Sequence, residues 1–403
     1  MSPSLDGLSN RWRRAPRRWG HPLHSLCSYF AMFPPQVTHV FIKWLTEPGD
    51  IVYDPFSGRG TAPLEACRMG RIGLGSDANP LAHLLTAAKV DAPSPDQARS
   101  RLKRLRARCT PMDLSSTPDD IRMLYSNSVL GQLTWLREKL DLSRRDDRFI
   151  MALLLGVMHA NYEPGHPARG LSISMPNTFS MSPGYVRRYI DEKVLMPPEI
   201  DVFDLLENKL NRMQLPNTSS TRGTAWLQDA REPAQSTFNN NPAKLVFTSP
   251  PYLSVIKYGK YNWIRLWMLK KDSKSVDQSL VATGSLPKYL EFMKSVISAL
   301  TPSVREDGYL CLMIGDVRER ETGKVTNLAE CVWEEAARCL GWKLRGIVVD
   351  RLPTQYKVSR IWKNGRGHAT KTDRVLILSR NAGSSAPLPP LGPIRWADAT
   401  AWV

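Results

Sequence analysis

The stretch that most limits how this chain can fold is Ile51-Val52-Tyr53-Asp54-Pro55-Phe56-Ser57-Gly58-Arg59-Gly60-Thr61. Three β-favouring residues run into a small turn with two glycines, and a helix-forming run, Ala62 to Arg68, follows at once. A buried strand that opens through a tight Gly-x-Gly turn into a helix aims backbone N–H groups at a ligand. Asp77 ends the next strand-like run, Gly70 to Ser76. A doubly wound sheet places there the acid that takes a ribose diol. The local reading is a nucleoside-bearing cofactor at the carboxyl end of a parallel sheet.

The α/β rhythm stops after residue 90 and returns at Thr224. Between them, 91–220 holds helix-like runs without evident parallel strands. Ala98 to Cys109 is strongly basic, and its large apolar residues are only Leu102 and Leu105; a solvated helix and a nucleic-acid face are equal readings. Phe149 to Ala160 is apolar all round and reads as a buried helix. Later strands are expected at Thr224–Leu227, Lys244–Thr248, Tyr309–Ile314, Trp342–Val349 and Arg374–Leu378. Helices are expected at Asn262–Lys271, Leu286–Ala299 and Leu328–Leu340. The two α/β portions are each incomplete, so one sheet of about seven strands is inferred, mostly parallel and Rossmann-like.

The expected organisation is therefore a basic arm at 1–20, a catalytic body at 21–90 and 221–380, a helical insertion at 91–220, and a loosely wrapped tail at 381–403. The arm sets Trp12 and Trp19 among arginines, which suits either a solvated collar or a phosphate-contacting segment. Net charge is +17, from 55 basic and 38 acidic side chains. Such an excess favours a polyanionic partner. The six cysteines form no C-x-x-C pair and the histidines no H-E-x-x-H pattern. No structural metal and a reducing, cytoplasmic setting are expected. No apolar run is long enough for a membrane span or signal peptide.

The chemistry-bearing stretch is Thr248-Ser249-Pro250-Pro251-Tyr252. Two consecutive prolines cannot continue a strand, and they fix a rigid, extended turn at its end. Ser249 Oγ and the Pro250 carbonyl offer two acceptors, and Tyr252 a flat face. That set suits the exocyclic amine of a planar base. The plainer alternative is a strand-ending turn with Tyr252 in the core. The preceding glycine turn and Asp77 favour the first.

Together, Asp54 to Thr61 and Thr248 to Tyr252 resemble the S-adenosylmethionine-dependent DNA amino-methyltransferases. The likeness is strongest to the cytosine-N4 group, where Ser-Pro-Pro-Tyr is usual; adenine-N6 enzymes more often carry Asp or Asn before the prolines. His24 to Pro35 resembles the family segment that closes over the methionine part of the cofactor, which implies contacts from Tyr29 and Phe33. The resemblance covers 21–90 and 224–380. The cofactor turn precedes the double-proline turn, which implies target recognition by the insertion.

The resemblance further implies that Asp54, Pro55, Phe56 and the Ser57–Gly60 backbone, Gly58 included, hold the cofactor. Thr61 caps the helix, Asp77 takes the ribose hydroxyls, and Asp229 accepts from the adenine amine. It implies S-adenosyl-L-methionine as cofactor and direct, in-line transfer to N4 of a cytosine flipped from duplex DNA. No cysteine neighbours the double proline, which argues against attack on the cytosine ring. Lys257 and Lys260, with Lys357, Arg360, Lys363, Arg366 and Lys371 in the run to Arg374, read as phosphate contacts. A restriction endonuclease as genetic partner and a monomeric enzyme are also expected. Adenine-N6 transfer, methylation of RNA, and a non-enzymatic basic module are the alternatives.

Overall fold

The computed structural model describes residues 5, 7–15, 19–29, 33–161, 166–175, 180–216, 221–233, 238, 241–251, 253, 257–318, 323–351, 369–380, 388–394 and 396. Its centre is one sheet. The strands are β1 (Ile51–Asp54), β2 (Ile72–Asp77), β3 (Thr224–Leu227), β4 (Ala243–Thr248), β5 (Val304–Arg318), β6 (Val325–Thr326), β7 (Lys343–Arg351) and β8 (Ala369–Ser379). Seven lie in the order β3-β2-β1-β4-β5-β8-β7, and the two-residue β6 pairs with the end of β5. Pairing is parallel from β3 through β5. It is antiparallel where β8 enters between β5 and β7. The result is a mixed seven-stranded sheet of the Rossmann-like, class I methyltransferase kind, with flanking helices and a helical insertion.

Successive strand residues point to opposite faces, and the core divides accordingly. Val52, Leu245, Phe247, Cys311 and Met313 face one layer, which the helix Pro35–Leu45 covers with Val37, Val40, Phe41 and Trp44. Tyr53, Val246, Leu310, Leu312 and Ile314 face the other, covered by Leu286–Leu300 and by Leu328–Val332 with its following turns. In the first of these helices Pro34 is extended at the N-cap and Pro35 opens the helix.

The insertion helices, among them Pro95–Arg106, Asn127–Lys139, Arg145–Leu155 and Val202–Met213, build a third apolar core. That core is continuous with Leu81, Leu84 and Leu85 of the helix Pro80–Val90, and with Trp263 to Met268. Ala98, Leu102 and Leu105 of the basic helix are buried in it. Several of its arginines are engaged inside the insertion: Arg101 binds Asp147 at 2.5 and 2.9 Å, and Arg106 binds Asp204 at 2.5 Å. Part of that basic charge is therefore neutralised locally.

The described residues of both terminal segments include side chains packed on the body. Trp12 and Trp19 are buried. Trp12 Nε1 donates to Asp350 Oδ2 at 2.9 Å, and Arg13 binds the same carboxylate. At the other end, Leu388, Leu391, Ile394 and Trp396 pack on the layer beneath the helix Pro35–Leu45, and Trp44 Nε1 donates to Pro389 O at 2.6 Å. The expected single helix at 262–271 is instead Trp263–Met268, followed by a separate Ser273–Ser279. Among the described residues, no helix is long and apolar enough to cross a membrane.

Candidate active site

β1 ends at Asp54, and the chain turns over the carboxyl edge of the sheet through Gly58 and Gly60, both in the left-handed region (φ +52° and +76°). Gly60 also lies where a Cβ would fall 2.9 Å from Thr86 Cα. Only glycine meets both demands. Ser57 N donates to Ser76 O at 3.0 Å, and Ser57 Oγ lies 3.0 Å from Thr86 Oγ1. The turn is thus tied to the end of β2 and to the next helix. Gly60, not Thr61, is the N-cap of the helix Thr61–Arg68. Thr61 stands inside the helix and receives Arg59 Nε at 3.4 Å, so the expected capping role is corrected.

Asp77, at the end of β2, accepts from Gly58 N and Asn79 N, each at 2.9 Å. Burial pushes its carboxyl up to about 6 against those two bonds. Asn79 caps the helix Pro80–Val90 through Leu81 N and donates Nδ2 to Tyr29 OH at 2.9 Å. The Asn-Pro pair is a helix-start signal legible in sequence, but its hold on Tyr29 is not. Burial, then the neighbouring Asp77, raises the Tyr29 phenol well above its usual range.

The second turn leaves β4, which lies directly beside β1. Thr248 Oγ1 donates to Asp54 Oδ1 at 2.6 Å, and Phe56 N donates to the same oxygen at 3.1 Å. Asp54 is fully buried; burial pushes it up to about 7, opposed by those bonds. Its Oδ2 is buried and has no hydrogen-bond partner among the described residues. Ser249 Oγ donates to Met313 O on β5 at 3.0 Å.

One cleft of about 380 Å³ is lined from both turns. Tyr29, Pro55, Phe56, Gly58, Asp77 and Asp229 meet Ser249, Pro250, Pro251 and Lys257 around it. Asp229 is engaged by Arg231, whose Nε and NH2 approach at 3.0 and 2.7 Å and hold the carboxyl below its usual range. Tyr258, Leu280, Val281 and Phe292 complete the wall. Tyr258 stacks on Tyr29 with ring centroids 5.8 Å apart.

Other expected residues lie elsewhere. Ser57, Gly60 and Thr61 support the turn from below, and Phe33 packs against Phe247 in the layer under the sheet at 5.7 Å. Lys260 is exposed on the short helix Tyr258–Tyr261. Arg374 is bound to Asp316 at 2.8 and 3.0 Å. Tyr252, Lys357, Arg360, Lys363 and Arg366 lie outside the described residues, and Lys371 is described only by its place in β8.

Buried cations hold the segment that brings Tyr29 to the cleft. Arg59 NH1 donates to His24 O at 3.1 Å, Lys209 Nζ to Leu26 O at 2.5 Å, and Arg265 NH1 to Ser28 O at 3.0 Å. His24 and His39 flank the buried Glu65 at 2.8 and 3.2 Å, which carries the Glu65 carboxyl down to about 2 despite its burial.

Residues 4–87 match the family profile described as DNA methylase. Over 68 residues the chain is 34% identical to the Type II methyltransferase M.MjaII of Methanocaldococcus jannaschii, which is 17% of this chain and 13% of that protein. The chain thus spans about an eighth of that relative's length. Among solved structures it is similar to the rRNA methyltransferase aviRa of Streptomyces viridochromogenes, with 11% identity, a TM-score of 0.34, and 88% and 89% of the two chains covered. It is also similar to TrmN of Thermus thermophilus, with 10% identity, a TM-score of 0.32, and 89% of this chain and 52% of that one covered.

Proposed function

We propose that this protein is an S-adenosylmethionine-dependent methyltransferase that acts on the exocyclic amine of a nucleic-acid base, specifically N4 of a cytosine flipped from duplex DNA. The observation that carries the reading is the shared cleft: the glycine turn and the double-proline turn line one cavity and are joined through Thr248 and Asp54. The match of residues 4–87 to a DNA methylase profile supports DNA as the substrate class.

The residues present fit the cofactor. Gly58 lines the cleft with no side chain of its own, and Asp77 faces the cleft from the end of β2; Asp54 stands behind that wall, where it holds Phe56 N. Asp77 would take the ribose hydroxyls, Tyr29 and Phe56 would pack on the ligand, and Asp229 would accept from the adenine amine. S-adenosylmethionine would supply a methyl group already activated as a sulfonium.

Ser249 and Pro250 would do the work on the base. The Ser249 hydroxyl proton is committed to Met313 O, so the Oγ lone pairs remain as acceptors. With the Pro250 carbonyl, they would draw on both hydrogens of the amine. A cytosine amine is delocalised into its ring and is a poor nucleophile; acceptors on both hydrogens return electron density to nitrogen. Fixing that nitrogen in line with the methyl group removes much of the entropic barrier. The amine proton then leaves to water. Tyr252 would stack on the flipped ring, and Lys257 and Lys260 would contact phosphates.

The test is direct. The protein is incubated with methyl-labelled S-adenosylmethionine and duplex DNA, single-stranded DNA or transfer RNA, and the products are digested to nucleosides for mass analysis. N4-methylcytosine from duplex DNA is expected. N6-methyladenine would overturn the choice of base, and label confined to RNA would overturn the choice of DNA.

A further inference from the structure

The stretch from Tyr261 to Lys270, which follows the double-proline turn, is bound to the insertion. Ser180 N donates to Tyr261 O at 2.8 Å, and Trp263 Nε1 donates to Met181 O at 2.6 Å. Arg137 Nε donates to Trp267 O at 2.8 Å, and Lys270 pairs with Glu138 at 2.7 Å. Its apolar side chains, Trp263, Ile264, Leu266 and Met268, belong to the insertion's core and to neither layer of the sheet.

The near end of the same segment reaches the cleft. Asp277 accepts from Gly259 N at 2.7 Å and Lys260 N at 2.9 Å, which pins the short helix that carries Tyr258 against Tyr29. Arg265 joins these parts and is 1% exposed. Its Nε donates to Leu155 O at 3.1 Å, at the end of an insertion helix. NH1 reaches Ser28 O and Asn262 Oδ1, each at 3.0 Å, and NH2 reaches Ser28 Oγ at 2.9 Å. Ser28 immediately precedes Tyr29. Gly156 makes this junction possible, since a Cβ there would fall 2.1 Å from both Leu26 O and Lys209 Nζ.

We propose that Arg265 is a positioning residue that couples engagement of the target on the insertion to the placement of Tyr29 and Tyr258 over the cofactor cleft. The guanidinium is planar and its donors are fixed relative to one another. A shift of Leu155 therefore moves the Ser28 and Asn262 contacts as well, because breaking any of them leaves a buried donor unsatisfied. The two tyrosines then respond together, one from each side of the fork. This rests on the proposed reading that the cleft takes S-adenosylmethionine and a base, and on the expectation that the insertion meets the target.

The test uses the full chain, S-adenosylhomocysteine and a sheared duplex DNA, with binding of the first measured by calorimetry with and without the second. In the wild-type protein DNA should tighten S-adenosylhomocysteine binding by ~10-fold, and by reciprocity the converse should hold. Arg265→Lys keeps the charge and loses the fork. Its affinity for S-adenosylhomocysteine alone should fall, because Ser28 and Tyr29 lose their hold, and the ratio of affinities with and without DNA should fall toward one. Trp263→Phe, which removes one tie outside the cleft without emptying the core, should lower the coupling in part; it decides the matter if Arg265→Lys does not fold. Wild-type coupling retained in the folded variants overturns the inference while leaving the methyltransferase reading intact. Failure of the wild-type protein to bind either ligand fells both.

Discussion

Thr248 Oγ1 and Asp54 Oδ1 lie 2.6 Å apart, and that bond ties the turn after β4 to the turn after β1. Replacing Thr248 with valine keeps the shape and removes the donor, leaving Asp54 Oδ1 with Phe56 N alone. A buried acceptor that loses a partner costs about 1–3 kcal/mol. Thr248→Val should lose about that much in urea-unfolding experiments, and should weaken cofactor binding although its hydroxyl donates away from the cleft. An unchanged unfolding midpoint would show that the bond contributes nothing.

Ser249→Ala separates binding from turnover. Its hydroxyl meets Met313 O and lies at the cleft wall. Affinity for S-adenosylhomocysteine should stay as it is, while kcat falls by ~10²–10³, the usual cost of removing one group aimed at a transition state. Single-turnover methylation measures this. A wild-type rate in the variant would reject the assigned role.

Asp77→Asn should act the other way. Its carboxylate holds Gly58 N and Asn79 N and faces the cleft. Hydrogen bonds to charged groups contribute about 1.5–3 kcal/mol, so cofactor affinity should fall by ~10–100-fold. Calorimetry would register this as a change in Kd, with kcat at saturating cofactor much less affected.

Gly60→Ala tests the geometry of the turn itself. The residue sits at φ +76° with Thr86 Cα in the way. Strain of this kind costs about 1–3 kcal/mol, and the helix start at Thr61 would shift with it. Loss of both thermal stability and cofactor binding is expected. Gly49→Ala is the comparison, since its φ is also positive but its Cβ meets nothing within 4 Å.

Acid–base behaviour follows from opposed buried groups. Asp54, raised from 3.8 to about 7, keeps a proton in the fold that the unfolded chain has already lost. It therefore lowers stability as pH rises from about 4 to about 7. Asp77, raised to about 6, acts in the same direction. Glu65, lowered from 4.5 to about 2, contributes stability that is present above 4.5 and lost as pH falls toward 2. His24, lowered from 6.5 to about 4 by burial, adds a loss as pH falls through that window. Relative to wild type, Asp54→Asn should therefore gain melting temperature as pH rises from about 5 to about 7. A parallel pH profile for variant and wild type would contradict it.

The glycine turn, β4 and the double-proline turn were legible because each depends on local chemistry: positive φ, a missing N–H, strands with short apolar runs. The capping of Thr61–Arg68 was misread because Thr61 looks like an N-cap, yet Gly60 already occupies that position in the left-handed region. The far wall of the cleft was not legible. Asp277, Leu280 and Val281 come from a polar stretch with no distinctive pattern, and only tertiary packing brings them opposite Gly58. The arginines of the basic helix also looked free in one dimension; Asp147 and Asp204, far along the chain, bind two of them. Likewise, nothing near Trp12 in sequence announces Asp350.

The apolar interior of the insertion runs without a break into the helix Pro80–Val90 and into Trp263 to Met268. The region cannot be transplanted as a cassette cut at residues 91 and 220. A graft onto another sheet would leave Trp263 and Ile264 facing water and the donor helices missing one wall. Any exchange of the insertion must carry residues 258–280 along with it, and with them one side of the cleft.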